Sequence, residues 1–122
     1  MALREKQPIS AKKGQLYELI RDFGDYLEIE KNRSKRTREN YGFYLGRFAD
    51  WASDKGISKA NAITLDAVRQ FRLWLNRLED HHGEALKKNT QNYHLIALRA
   101  FLKYLSKRDI ETLAPEKIEL AK

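Results

Sequence analysis

Residues 89–105, "NTQNYHLIALRAFLKYL", decide the fold. At 100° per residue, Tyr93, Ile96, Ala97, Ala100 and Tyr104 form one apolar seam of a helix, and Leu95, Leu98, Phe101, Leu102 and Leu105 form another. A helix that is apolar nearly all round belongs in the middle of a bundle. Its one polar strip holds Lys88, Asn92, Arg99, Lys103 and Ser106, and that strip is what remains for a partner.

The rest of the chain supplies helices to surround it. Leu16, Leu19, Ile20, Phe23 and Leu27 recur at helical spacing and predict a first helix over 15–30. A second is expected over 35–54, burying Tyr41, Leu45, Phe48 and Ala52, with Gly56 as its left-handed stop and Ile57 folding back onto the last turn. Thr64 is a good N-cap for a third helix carrying Val68, Phe71, Trp74, Leu75 and Leu78. The polar loop "EDHHGEALKKN" then leads to a fourth helix from Thr90 to about Lys107, and Pro115 can open one short helix more. Nothing alternates like a strand. The expected fold is all-α: a compact bundle of four main helices, with Phe48, Phe71, Trp74, Leu98 and Phe101 in one core. Residues 1–14 are expected to be a flexible basic arm, 15–112 the helical domain, and 113–122 the start of a linker.

Composition narrows the function. A chain of 122 residues, 42% hydrophobic and 11% aromatic, can bury about two-thirds of its unfolded surface in one core. It has no cysteine, which excludes disulfides and thiolate metal sites and fits a reducing compartment. No apolar run approaches a membrane span, and the basic start "MALREKQPISAKKGQ" lacks the apolar stretch of a secretory signal. The 24 Lys+Arg against 17 Asp+Glu leave a net charge of +7, which points to nucleic acid, an anionic membrane surface or an acidic protein.

Where the charge sits favours nucleic acid. A helix N-terminus carries roughly half a positive charge and prefers Asp and Glu in its first turn. Here Arg33, Lys35, Arg36 and Arg38 crowd the start of the second helix among Ser34 and Thr37, with Glu39 as the only early acid. Lys87 and Lys88 likewise precede Asn89 and Thr90, the expected caps of the fourth helix. Free backbone N–H groups, small polar side chains and cations together make anion sites, and phosphate supplies the missing negative charge. The first helix is acidic instead, with Glu18, Asp22 and Asp25 outward. Along the fourth helix Asn92 and Arg99 are expected to reach base edges, and His94 is either a DNA-facing donor or a satisfied packing residue. Gly42 and Gly46 imply close approach of a neighbouring helix or of a DNA strand. His81 and His82 lack ligand spacing, so no metal is expected. No phosphate loop and no nucleophile–base pair occurs, so neither cofactor nor catalytic set is expected.

Four segments resemble a known family. "LIRDFGDYLEIEKNRSKRTRENYGFYLGRFADWA" is similar to the opening helix pair of the N-terminal core-binding, SAM-like domain of tyrosine recombinases, the Xer and phage-integrase family, through Ser34, Thr37, Tyr41, Leu45 and Phe48. "AITLDAVRQFRLWL" resembles its third helix. "NTQNYHLIALRAFLKYL" resembles its fourth, through Thr90, Leu95, Leu98, Arg99, Phe101 and Leu105, and "IETLAPEKIELAK" resembles its exit segment. The likeness covers about residues 15–122. Phe43 and Tyr44 depart from it, standing where the family is usually polar, and Gly42 and Gly46 are unusual within that helix.

The resemblance implies half of a clamp around double-stranded DNA, with the second and fourth helices facing the major groove. It also implies other recombinase protomers as partners, no membrane, and a cytoplasmic, nucleoid-associated setting. The catalytic Arg, His and Tyr residues would belong to a further domain beyond Lys122, so this chain alone is expected not to cut DNA. Two other functions fit the same residues: a helical protein-interaction module whose basic patch meets an acidic partner, favoured if Phe43 and Tyr44 are exposed, and a DNA-binding regulator without recombination.

Overall fold

In the computed structural model, which describes residues 12–120, the helices are α1 (Gln15–Ile29), α2 (Lys35–Asp54), α3 (Leu65–Arg77) and α4 (Lys88–Lys107). The fold is all-α, with short 3₁₀ turns at Ala60–Ala62 and Pro115–Lys117, the second opened by Pro115 as expected. Local chemistry sets most boundaries. Ser34 Oγ accepts the Thr37 N–H at 3.1 Å, and Thr64 Oγ1 accepts the Ala67 N–H at 3.0 Å, so α2 and α3 start at side-chain caps. Gly56, at φ 80°, ends α2 in a Schellman turn: its N–H reaches Ser53 O at 3.1 Å and the Ile57 N–H reaches Ala52 O at 2.8 Å. Asp109 ends α4 by the same bonding at φ 59°, a position where glycine is the usual choice.

The start of α4 differs from the expected one. Lys87 is extended at φ −64° and ψ 151°, and its carbonyl accepts the Gln91 N–H at 3.0 Å, so the helical ladder begins there. Asn89 and Thr90 therefore lie inside the first turn, and no side chain caps it.

α4 is the central element, touching α1, α2, α3 and the Pro115–Lys117 turn. Its Leu98, Phe101, Leu102 and Leu105 are fully buried, in one cluster with Phe48 and Phe71. Full burial of each such side chain contributes about 1.5–3 kcal/mol. Trp74 is half-buried and stacks on Phe71 at 5.9 Å, so it edges the core rather than filling it. α1 closes against α2 at Gly24, where an added Cβ would lie 3.2 Å from the Arg38 side chain. Gly42 has no such reason: a Cβ there would meet nothing within 4 Å, so no helix packs against it.

Packing continues past residue 112. Ile118 is buried in the main cluster, and Leu113 and Leu120 pack on it, so the expected linker start is not marked by loss of contact with the core. The basic arm expected over 1–14 lies outside the described residues except at its end, where Lys12 pairs with Asp50 at 2.5 Å.

Candidate nucleic-acid interface

α2 and α4 cross where Tyr44 meets His94, ring to ring at 4.7 Å. Each helix begins about two turns before this contact. At a rise of about 1.5 Å per residue, Lys35 lies about 12 Å before Phe43 and Lys88 about 9 Å before His94. Arg33, Lys35, Arg36, Lys87, Lys88 and Asn89 are exposed, as is the capping Ser34. Thr37, Thr90, Asn92 and Arg99 are half-buried, the last two on the outward strip of α4.

The two ends are not equivalent. At α2 the Ser34 hydroxyl already satisfies the Thr37 N–H, and the first turn holds no acid; Lys35 and Glu39 stand 4.0 Å apart, both highly exposed. At α4 the first-turn N–H groups have no side-chain acceptor, and the first turn again holds no acid. The α4 end is the stronger anion attractor.

Two expected contact residues are occupied elsewhere. Arg38 turns back to α1, with Nη2 2.8 Å from Asp25 and Nε 3.4 Å from Glu28. It joins the acidic helix to the basic one and stands apart from the outward cations. His94 is only 1% exposed. Its Nδ1 lies 2.7 Å from Thr90 O and its Nε2 3.3 Å from Arg47 Nη1. A carbonyl can only accept and a guanidinium can only donate, so the ring is the neutral Nδ1–H tautomer, donating to Thr90 and accepting from Arg47. It is the satisfied packing residue, not a surface donor.

Arg47 itself was not picked out from the sequence. Only 7% exposed, it lies under the Phe43 ring at 4.8 Å, and its Nε has no hydrogen-bond partner. Burial pulls the guanidinium below its ordinary value while Tyr44 pulls the other way. Among the described residues no carboxylate pairs with it, so the crossing holds a cation beneath its surface. Arg36, Asn40, Phe43 and Arg47 follow one stripe of α2, and of these only Arg47 is buried, so the spacing alone gave no signal of it. Above it, Phe43 is 46% and Tyr93 49% exposed, giving the crossing an aromatic rim.

His81 and His82 sit in the exposed turn after α3, and the described residues contain no group able to hold a metal ion. None of the described helices is long and apolar enough to cross a membrane.

Known proteins share this architecture. A structure described as the N-terminal domain of a phage integrase/site-specific recombinase from Haloarcula marismortui superposes with a TM-score of 0.73 at 16% identity, covering 90% of this chain and 100% of that one. The tyrosine recombinase XerD of Chlorobaculum tepidum is 28% identical over 96 residues, which are 79% of this chain and 29% of XerD. XerC of Bacillus licheniformis is 34% identical over 83 residues, 68% of this chain and 25% of that protein. The chain thus spans under a third of the length of these relatives. Residues 20–109 match the family described as phage integrase, N-terminal SAM-like domain, and to that family the chain belongs.

Proposed function

We propose that this domain grips duplex DNA as the core-binding part of a site-specific tyrosine recombinase. The observation that carries this reading is the charge at two helix starts: Arg33, Lys35 and Arg36 at α2 and Lys87 and Lys88 at α4 are exposed with no acid in either first turn, while Asp25 and Glu28 of α1 hold Arg38. Phosphates at the starts of α2 and α4 meet both the cations and the helix dipoles. Asn92 and Arg99 lie on the outward strip of α4, where base edges are in reach if α4 enters the major groove. Strand cleavage and exchange would need a catalytic domain and other protomers on the DNA.

Fluorescence anisotropy with duplex DNA over a salt series tests the reading. Affinity should fall steeply as salt rises, and the chain alone should neither nick nor relax supercoiled DNA. Salt-independent binding, or covalent capture of DNA on any of the six tyrosines, would overturn it. Of the two residues named for a protein-interaction module, Phe43 is exposed and Tyr44 is only half-buried; Phe43 with the exposed Tyr93 keeps that module as the second reading, and binding to an acidic peptide without binding to DNA would establish it instead.

A further inference from the structure

Between α3 and α4 lies an open groove of about 370 Å³, floored by Leu75 and Leu95. Its polar wall is Arg69, Arg72 and Asn76 from α3, and Lys88, Gln91 and Asn92 from α4. Three cations face one recess, and no carboxylate lines it. Among the described residues neither Arg69 nor Lys88 is ion-paired.

The groove is organised by its own contacts. Arg72 Nη1 donates to the Glu119 carbonyl, which fixes the guanidinium at the wall. Gln91 Nε2 donates to Leu86 O at 3.0 Å and to Asn76 Oδ1 at 3.4 Å, which leaves the Asn76 amide nitrogen as a further donor. Lys88 is the first residue of α4, so the uncapped helix start closes one end of the recess. Donors and positive charge converge there, and the Asn76 Oδ1 and Leu86 carbonyl acceptors are already engaged by Gln91. The complementary ligand is a compact oxyanion with several acceptor oxygens.

We infer that the α3–α4 groove seats a phosphodiester of the DNA backbone, so that the DNA footprint extends beyond the two helix ends onto α3 through Arg69 and Arg72. This rests on the DNA-binding reading above and adds to it a third element and a defined pocket.

Arg69 is the residue to change, because it is exposed and makes no bond that holds the fold. Anisotropy titrations of the full chain with duplex DNA would compare wild type, Arg69→Gln and Arg36→Glu over a salt series. Thermal melts would run alongside. Arg69→Gln should keep the wild-type melting temperature and flatten the slope of log affinity against log salt by about one unit. A slope unchanged in Arg69→Gln but flattened in Arg36→Glu would refute the groove and leave the DNA-binding reading standing. Absence of salt-dependent binding in the wild type would remove both. Amide shifts of Lys88 and Gln91 on titration with inorganic phosphate give the last arm. If phosphate moves them while the DNA slope ignores Arg69, the groove is a site for free phosphate, and its assignment to the DNA backbone fails.

Discussion

His94 lies one turn from Thr90 and against Arg47, and that placement fixes what its loss should do. His94→Ala removes an acceptor from a buried guanidinium and leaves a cavity beside Phe71, so a loss of about 2–4 kcal/mol is expected. The salt slope of DNA binding should stay at the wild-type value, since the ring meets no solvent; thermal melts and anisotropy read the two effects separately. The sequence groups Arg38 with the cations that crowd the first turn of α2, and sets His94 near Asn92 as either a donor or a packing residue; each stands two positions from one that faces outward, Arg36 and Asn92. Two residues along a helix is a rotation of about 200°, so such neighbours point to opposite sides. Arg38 therefore meets Asp25, and His94 meets α2. That rotation could have been read from the sequence. The buried state of Arg47 could not, because it depends on how steeply α2 crosses α4.

At the scale of the element, caps decide both stability and binding. Thr64 and Gly56 were legible because each serves backbone groups within a few residues of itself. The start of α4 was not, because Leu86 packs on the core and its carbonyl is held by Gln91, which pulls the helix start ahead of the better capping residues. Lys87 now occupies the N-cap without capping. Lys87→Ser should stabilise the free protein by about 1 kcal/mol and weaken DNA binding, because it satisfies a first-turn N–H and removes a cation. Equal or tighter DNA binding by that variant would show that the α4 end makes no phosphate contact. The turn between α3 and α4 has its own control. Asp80 Oδ1 accepts the His82 N–H at 2.8 Å and the Glu84 N–H at 2.9 Å. Chiefly these bonds, first that from Glu84, hold its carboxyl below the ordinary value. A depressed native value means the turn is fully stabilised above the unfolded range near 3.9 and loosens as pH falls through the lower native value. The His82 and Glu84 amide signals should shift together over that acid range, and should not do so in Asp80→Asn.

At the scale of the whole molecule, the all-round apolar pattern of α4 was enough to set the architecture, since only a central position buries both seams. The reach of the core was less legible. Pro115 marked a short turn, but nothing local in "IETLAPEKIELAK" announces that Ile118 returns to the cluster. Ile118→Ala should cost about 2–4 kcal/mol by large-to-small truncation, measured by urea unfolding, whereas a flexible linker residue would cost nothing. Arg72 ties the same segment to α3 through the Glu119 carbonyl, so the C-terminal stretch and the basic groove are one mechanical unit.

Arg36→Glu tests the central claim most directly, because it separates fold from function in one side chain. Arg36 is exposed in the first turn of α2, and among the described residues it pairs with no acid. With no phosphate present, replacing a cation by an acid at a positive helix end should raise stability by about 0.3–1 kcal/mol. With duplex DNA, affinity should fall for all sequences alike, and the slope against log salt should flatten by about one unit or more. A higher melting temperature together with weaker, less salt-sensitive binding is the predicted result. Lower stability, or DNA binding that is unchanged, would show that the cations at this helix start serve the fold and not the nucleic acid.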